Sequence, residues 1–336
     1  MKNTNNNLSL DLLKMLMCFE VVLAHYWTNR SNGWFLVFEK MIVLAVPVFM
    51  LISFMLTRKK IILGDKLYLK NRLIRLLYPS FIWACIYYCI YYFVGFLFQI
   101  KTVNGISDLL WQLVTGHCPR LNPAMWYIIV LCILTTLFWI IFRVMTEKKA
   151  VILISILMGI SLIIQYSGIN WKVFSSMRYE LAAPLGRIAE MLPYAAIGFL
   201  ISYFDGIKFC EKNPGRVIGF TIIIFCFIQY APQAKGFGYE GVENIIYAVM
   251  ILMLTMILPW QKFSDKASKV LRIISRYTLG IFCMHNLIGK ILSEVLTRLE
   301  ISVDSFFICI LIYVICYIIA WIFTLIPCGW LRKIVE

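Results

Sequence analysis

The chain has 336 residues, 62% of them hydrophobic and 15% charged, with a mean hydropathy of +0.83 and a formal net charge of +15. Soluble domains are about 45–50% apolar and about 25% charged, so this composition excludes a water-soluble fold. On a soluble chain so basic a balance would point to nucleic acid; here Lys and Arg gather between apolar runs, where they set membrane orientation, and no nucleic-acid partner is expected.

Apolar runs of roughly 16–22 residues match a bilayer core of about 30 Å. They predict ten helices at 8–27, 36–57, 77–98, 124–143, 150–166, 188–204, 217–231, 242–260, 277–297 and 305–327. No polar stretch is long enough for a separate soluble domain, so a single all-α membrane domain over 1–336 is expected. With the N-terminus inside, 22 of the 32 Lys and Arg fall on inner segments, so both termini are expected in the cytoplasm. The first run contains Asp11, Lys14, Glu20 and His25 and is not followed by a small-residue cleavage site. It is therefore taken as the first membrane helix rather than a signal peptide.

Ionisable groups inside a membrane helix are costly and mark functional sites by default. Lys14 and His25 are eleven residues apart. At about 100° per residue they lie about 20° off one another on the same face, separated by about 16 Å along the axis. Asp11 sits one turn before Lys14, within pairing reach. Glu20 falls on another face, where it meets a neighbouring helix or shapes the same cavity from the side. Lys14 alone is also compatible with snorkelling to the interface, and His25 with an interfacial hydrogen bond beside Tyr26 and Trp27.

After the second run comes a basic segment, read as an inner loop over 58–79. Arg72 and Arg75 are one helical turn apart in it, and paired guanidinium groups suit phosphate. Tyr78-Pro79 is expected to open the third helix, Pro being tolerated in a first turn. A topogenic or lipid-binding loop explains the lysines equally well. Two outer segments, 99–123 and 167–187, exceed simple turns; the first contains Asp108-Leu109-Leu110-Trp111, read as a short interfacial helix. The second contains Arg178, Glu180 and Arg187. Trp126-Tyr127 starts the fourth helix, and His285 lies about 12 Å into the ninth. The eleven Cys fall mostly inside apolar runs and lack metal or disulfide spacing. No Gly-rich phosphate loop, nucleophile elbow or metal-ligand cluster is present, so neither a metal nor a bound cofactor is expected.

These residues resemble a known pattern. Leu10-Asp11-Leu12-Leu13-Lys14 followed by His25 resembles the opening helix of the membrane acyltransferase 3 family, usually Arg, ten residues, then His. Val46–Ser53 resembles its Phe-rich second-helix motif ending in Ser-Gly, and Asn71-Arg72-Leu73-Ile74-Arg75 its Arg-x-x-Arg segment. Met125-Trp126-Tyr127 resembles its Leu-Trp-Phe, and Tyr277–His285 its late Tyr…His helix. The five stand in family order from residue 10 to about 290. Lys14 replaces Arg, Phe54 replaces Gly and Met125 replaces Leu. The chain resembles the stand-alone members, without an added esterase-like domain.

The resemblance implies transfer of an acyl group, most often acetyl, from acyl-CoA to a hydroxyl of an envelope polysaccharide or lipid-linked sugar, by a multi-pass enzyme of the cell membrane. It implies His25 as base or acyl carrier with Glu20 assisting. Lys14, Arg72 and Arg75 would bind acyl-CoA, and Asp11, Ser53, Trp126 and His285 would support or hold substrate. A transporter or flippase of an envelope glycan is the alternative that embedded His and Glu also suit. A non-catalytic scaffold is a third, but it gives no reason for the embedded charges.

Overall fold

A computed structural model describes residues 6–27, 35–99, 101–118, 120–167, 179–228, 239–258 and 264–335, and among these there is no strand. The helices are α1 (Asn6–Tyr26), α2 (Phe35–Ile62), α3 (Lys66–Phe98), α4 (Ile106–Thr115), α5 (Trp126–Val144), α6 (Glu147–Ser167) and α7 (Tyr179–Tyr203). They continue as α8 (Gly206–Lys212), α9 (Pro214–Ile228), α10 (Val242–Met256), α11 (Asp265–Arg276), α12 (Thr278–Arg298), α13 (Ser305–Leu325) and α14 (Gly329–Lys333). The described part of each of the ten apolar runs falls mainly on a helix. Six of the described helices are long and apolar enough to cross a bilayer: Lys66–Leu97, Pro123–Val144, Glu147–Ser167, Leu185–Tyr203, Thr278–Arg298 and Ser305–Leu325. Two further apolar helices are shorter, Pro214–Ile224 and Val242–Met256.

Packing follows what a membrane bundle requires. Helices surrounded by lipid gain little from the hydrophobic effect against one another and approach through small residues. At Gly198 of α7 a Cβ would stand 2.3 Å from the backbone oxygen of Leu51 in α2, so the two helices touch backbone to backbone there. Leu51 and Phe54, both fully buried, and the ring of Phe54 4.7 Å from that of Phe138, form the centre of the bundle between α2, α5 and α7. The outward faces keep large apolar side chains exposed, among them Phe93, Ile163, Phe220 and Phe307, as a lipid-facing surface does.

Three stretches differ from the sequence reading. The basic segment after α2 is not a loop: only residues 63–65 separate α2 from α3. Asp65 caps α3, accepting from the Tyr68 N–H at 3.0 Å, and Arg72 and Arg75 lie in its second and third turns. Pro79 is consequently in the helix interior rather than its first turn. At 33 residues α3 is about 50 Å long, some 20 Å more than the hydrocarbon core, so its basic beginning projects past the apolar layer. Second, the basic stretch before the ninth run is a helix, α11, capped by Ser264, which accepts from the Ala267 N–H at 3.2 Å. Third, α7 starts nine residues before the expected 188, so Arg187 is helical. Residues 108–111, expected as a short helix, lie in α4. Arg178 and the side chain of Glu180 lie outside the described residues.

Candidate functional site

A cavity of about 660 Å³ opens among α1, α2, α3, α5, α11 and α12. Five cations line it: Lys14, Arg72, Arg75, Arg272 and Arg276. Among the described residues the only carboxylate on that lining is Asp11, which pairs with Lys14 at 3.3 Å, one turn away on α1. Ser53 and Tyr127 also line it. Five of the residues singled out from sequence as donor-binding or supporting, Lys14, Arg72, Arg75, Asp11 and Ser53, are thus brought together.

Arg72 is the most deeply placed of the cations, 8% exposed. Its Nη2 donates to Ser53 Oγ at 2.6 Å, while its Nε has no hydrogen-bond partner among the described residues. A guanidinium holds five donors in a rigid fork, and a buried donor left unmade costs about 1–3 kcal/mol. An acceptor in the cavity would satisfy that nitrogen. Ser53 is therefore first the residue that orients Arg72; its own hydroxyl hydrogen stays available to donate.

The cavity ends against aromatic rings. Tyr127 and Phe282 on its wall are 5.7 Å apart between centroids, Phe282 is 6.0 Å from His285, and His285 is 5.2 Å from His25. His25 in turn lines a second, smaller cavity of about 320 Å³ with Tyr26, Ser293, Asp304 and Ser305. Phe282 and His285 form the partition, with the basic cavity on one side and His25 on the other. The face shared by Lys14 and His25 along α1 connects the two ends of this path.

His285 is fully buried. Its Nδ1 lies 2.7 Å from the Phe282 carbonyl and 3.3 Å from that of Ile281. A carbonyl only accepts, so Nδ1 carries the hydrogen and donates. Nε2 is left bare, with no hydrogen-bond partner among the described residues. That nitrogen is available as a proton acceptor.

The backbone around His285 is held by side chains from other helices. Tyr87 of α3 donates its hydroxyl to the Cys283 carbonyl at 2.9 Å and accepts from the Leu287 N–H at 2.8 Å. These two groups are four residues apart, the pair that one step of an α-helix joins directly. Asn122 donates to the same Cys283 carbonyl at 3.1 Å, and its Oδ1 accepts from the Asn286 side chain at 2.9 Å. Asn122 is itself pinned from the long segment before α5, its N–H donating to Gln112 of α4 at 3.3 Å. Tyr26, next to His25, donates to the Asn286 carbonyl at 2.9 Å. Its ring reaches α12 because residue 289 is Gly: a Cβ there would lie 2.1 Å from the ring.

Two sequence-selected residues stand apart from this path. Glu20 is 3% exposed, lines neither cavity, and its Oε2 has no hydrogen-bond partner among the described residues. Trp126 lies under the Arg187 guanidinium at 5.0 Å, which also covers Tyr239 at 4.8 Å and pairs with Glu190. Its neighbour Tyr127 faces the basic cavity instead. Sequence reasoning passed over Tyr87, Asn122, Arg272 and Arg276. Only the arginines carried a signal, their four-residue spacing on one helical face. Among the described residues no group of three or more His, Cys, Asp or Glu could hold a metal ion.

A multi-pass helical membrane protein with a cation-lined cavity and, beyond the Phe282 ring on its wall, a pair of histidines is the class these features define. The model of the acyltransferase 3 family, described as an acyltransferase domain, matches residues 7–325. The chain belongs to this family, and its general role is that of an acyltransferase. No curated protein and no solved structure matches the chain.

Proposed function

We propose that the protein transfers an acyl group, most simply acetyl, from acyl-CoA to a hydroxyl of an envelope polysaccharide or lipid-linked sugar. It would do so across the cell membrane, with ten crossings and both termini inside. The observation that carries this reading is the basic cavity, which collects five cations and reaches Phe282, whose ring lies 6.0 Å from that of His285, itself 5.2 Å from His25. Family membership supports the acyltransferase chemistry, and the surplus of Lys and Arg on one set of segments supports the orientation.

In this scheme the CoA phosphates sit among Arg72, Arg75 and Lys14, charge-assisted and partly desolvated. The pantetheine arm runs toward Tyr127 and Phe282 and brings the thioester to the partition. The acceptor hydroxyl enters from the side of the second cavity. His25 takes its proton as the oxygen attacks the thioester carbonyl. The tetrahedral intermediate then expels the CoA thiolate, and the proton on His25 goes to that sulfur. The products are an ester and free CoA. His285, with Nδ1–H committed to the Phe282 carbonyl, presents Nε2 next to His25 and favours its protonated form in the transition state. Ser53, Trp126 and Glu20 remain supporting candidates; Ser53 does so through Arg72.

The test uses purified protein in nanodiscs with acetyl-CoA labelled on the acetyl group and crude envelope glycan. Label moving to glycan with stoichiometric thiol release supports the reading. Glycan left unlabelled, with no thiol released, sinks it.

A further inference from the structure

The second cavity differs in chemistry from the basic one. It lies where α1 ends, α13 begins and the last two turns of α12 pass, and it joins His25, Ser293 and Asp304 to the apolar side chains of Val303 and Ile308. Asp304 is the N-cap of α13, its Oδ1 accepting from the Phe306 N–H at 2.8 Å. The cap fixes the carboxylate and uses one of its oxygens. The other, Oδ2, accepts no hydrogen bond from the described residues. The hydroxyl of Ser293 likewise makes no hydrogen bond to the described residues. His25, Ser293 and Asp304 are all exposed, so a molecule entering the cavity meets them directly.

We propose that Asp304 and Ser293 form the acceptor subsite and select a sugar without negative charge, a neutral or amino sugar rather than a uronic or sialic acid. The proposal rests on the acyl-transfer reading above and adds to it the class of the acceptor and the residues that choose it. An ionised carboxylate only accepts, and its hydrogen bonds are about twice as strong as those between neutral groups. A sugar hydroxyl or ammonium donates to Asp304 Oδ2, a second hydroxyl bonds to Ser293, and a third on the same ring is left for His25. The C–H face of the ring rests on Val303 and Ile308. The carboxylate that holds a hydroxyl also repels a sugar carboxylate, and like charge set against the wrong ligand is a source of specificity. The cavity, about 320 Å³, stands at the small end of ligand sites, which run from about 300 to 1,000 Å³, and suits a single sugar unit.

The experiment uses purified protein in nanodiscs, acetyl-CoA labelled on the acetyl group, and envelope glycan at varied concentration. The labelled glycan is cut to single units with glycosidases, and the units are separated by charge at pH 7. Label is expected on a neutral or amino sugar. Label on a uronic or sialic acid overturns the proposal and leaves acyl transfer standing. Wild type is then compared with Asp304→Asn and Asp304→Ser, which both keep an N-cap, and with Ser293→Ala. Glu294→Gln is the control, a carboxylate beside Ser293 that pairs with Arg298 and is absent from the lining. The half-saturating glycan concentration is expected to rise about 10–100-fold in the Asp304 variants, the loss of one hydrogen bond to a charged group. In Ser293→Ala it rises about 2–10-fold, the loss of a neutral one. The rate at saturating glycan and the binding of CoA by calorimetry stay as in wild type, and Glu294→Gln changes nothing. A half-saturating concentration unchanged in both Asp304 variants overturns the proposal. So does an equal rise in Glu294→Gln, which would make the effect one of surface charge, or a matching loss of CoA binding, which would make Asp304 a structural cap alone. No label moved by wild type overturns the acyl-transfer reading and this proposal with it.

Discussion

Tyr87→Phe removes one oxygen from the wall of the site and keeps the ring. That oxygen makes two close hydrogen bonds, to the Cys283 carbonyl at 2.9 Å and from the Leu287 N–H at 2.8 Å, besides a long one to the Met284 carbonyl at 3.5 Å, in a fully buried place. Each bond is worth about 0.5–1.5 kcal/mol net, so a helix that kept its present shape would lose about 1–3 kcal/mol. The two backbone groups can recover much of this by bonding more closely to one another, which draws α12 together one turn around His285. The cost then moves from stability to catalysis. A displacement of about 1 Å at a catalytic group lowers rate by about 100-fold. The expected outcome is a kcat lowered by roughly 10–100-fold with the KM for acyl-CoA unchanged, because Tyr87 does not line the basic cavity. The assay is thiol release at varied acyl-CoA, alongside a thermal midpoint read from intrinsic fluorescence. A variant with wild-type kcat and only a lower midpoint would refute the claim that Tyr87 positions His285.

Arg72→Lys keeps charge and loses the fork that reaches Ser53. The KM for acyl-CoA is expected to rise about 10–100-fold, the loss of one charge-assisted contact, with a smaller change in kcat; an unchanged KM removes Arg72 from the donor site. Gly198→Ala places a Cβ 2.3 Å from the Leu51 backbone oxygen. Forcing α2 from α7 should cost about 1–3 kcal/mol, measured as a lower midpoint. Gly289→Ala is expected to expel the Tyr26 ring, which a Cβ would approach to 2.1 Å, and to lower kcat while leaving the binding of CoA as it is. CoA bound as by wild type and a wild-type kcat together would show that the Tyr26 contact does not serve the reaction.

Apolar runs were legible because a bilayer fixes their length, and six of the described helices are long and apolar enough to cross one. Lys14 and His285 stood out because charge inside such a run is expensive, and Arg72 because it stands one helical turn from Arg75. The boundaries failed where charge and helix coexist. Residues 66–76 fell in the segment read as an inner loop over 58–79, and residues 265–276 lay between apolar runs, yet Asp65 and Ser264 cap them as helices. An amphipathic interfacial helix carries too much charge for a hydropathy criterion, and its caps were the available signal. Tyr87 and Asn122 were invisible for another reason. Their side chains act on the backbone of α12, 196 and 161 residues away in sequence, and no local pattern encodes such a contact. The Trp126-Tyr127 pair shows the same limit: adjacent residues on one helix face different neighbours, and only the packed bundle puts Tyr127 on the cavity and Trp126 beneath Arg187.

The most direct measurement of the central claim is mass spectrometry of envelope glycans from three strains. One lacks the protein, one is complemented with wild type, and one with His25→Ala at matched membrane levels. The account predicts that one acyl-sized mass increment is present only with wild type. The same increment restored in full by His25→Ala, or present without the protein, would contradict it.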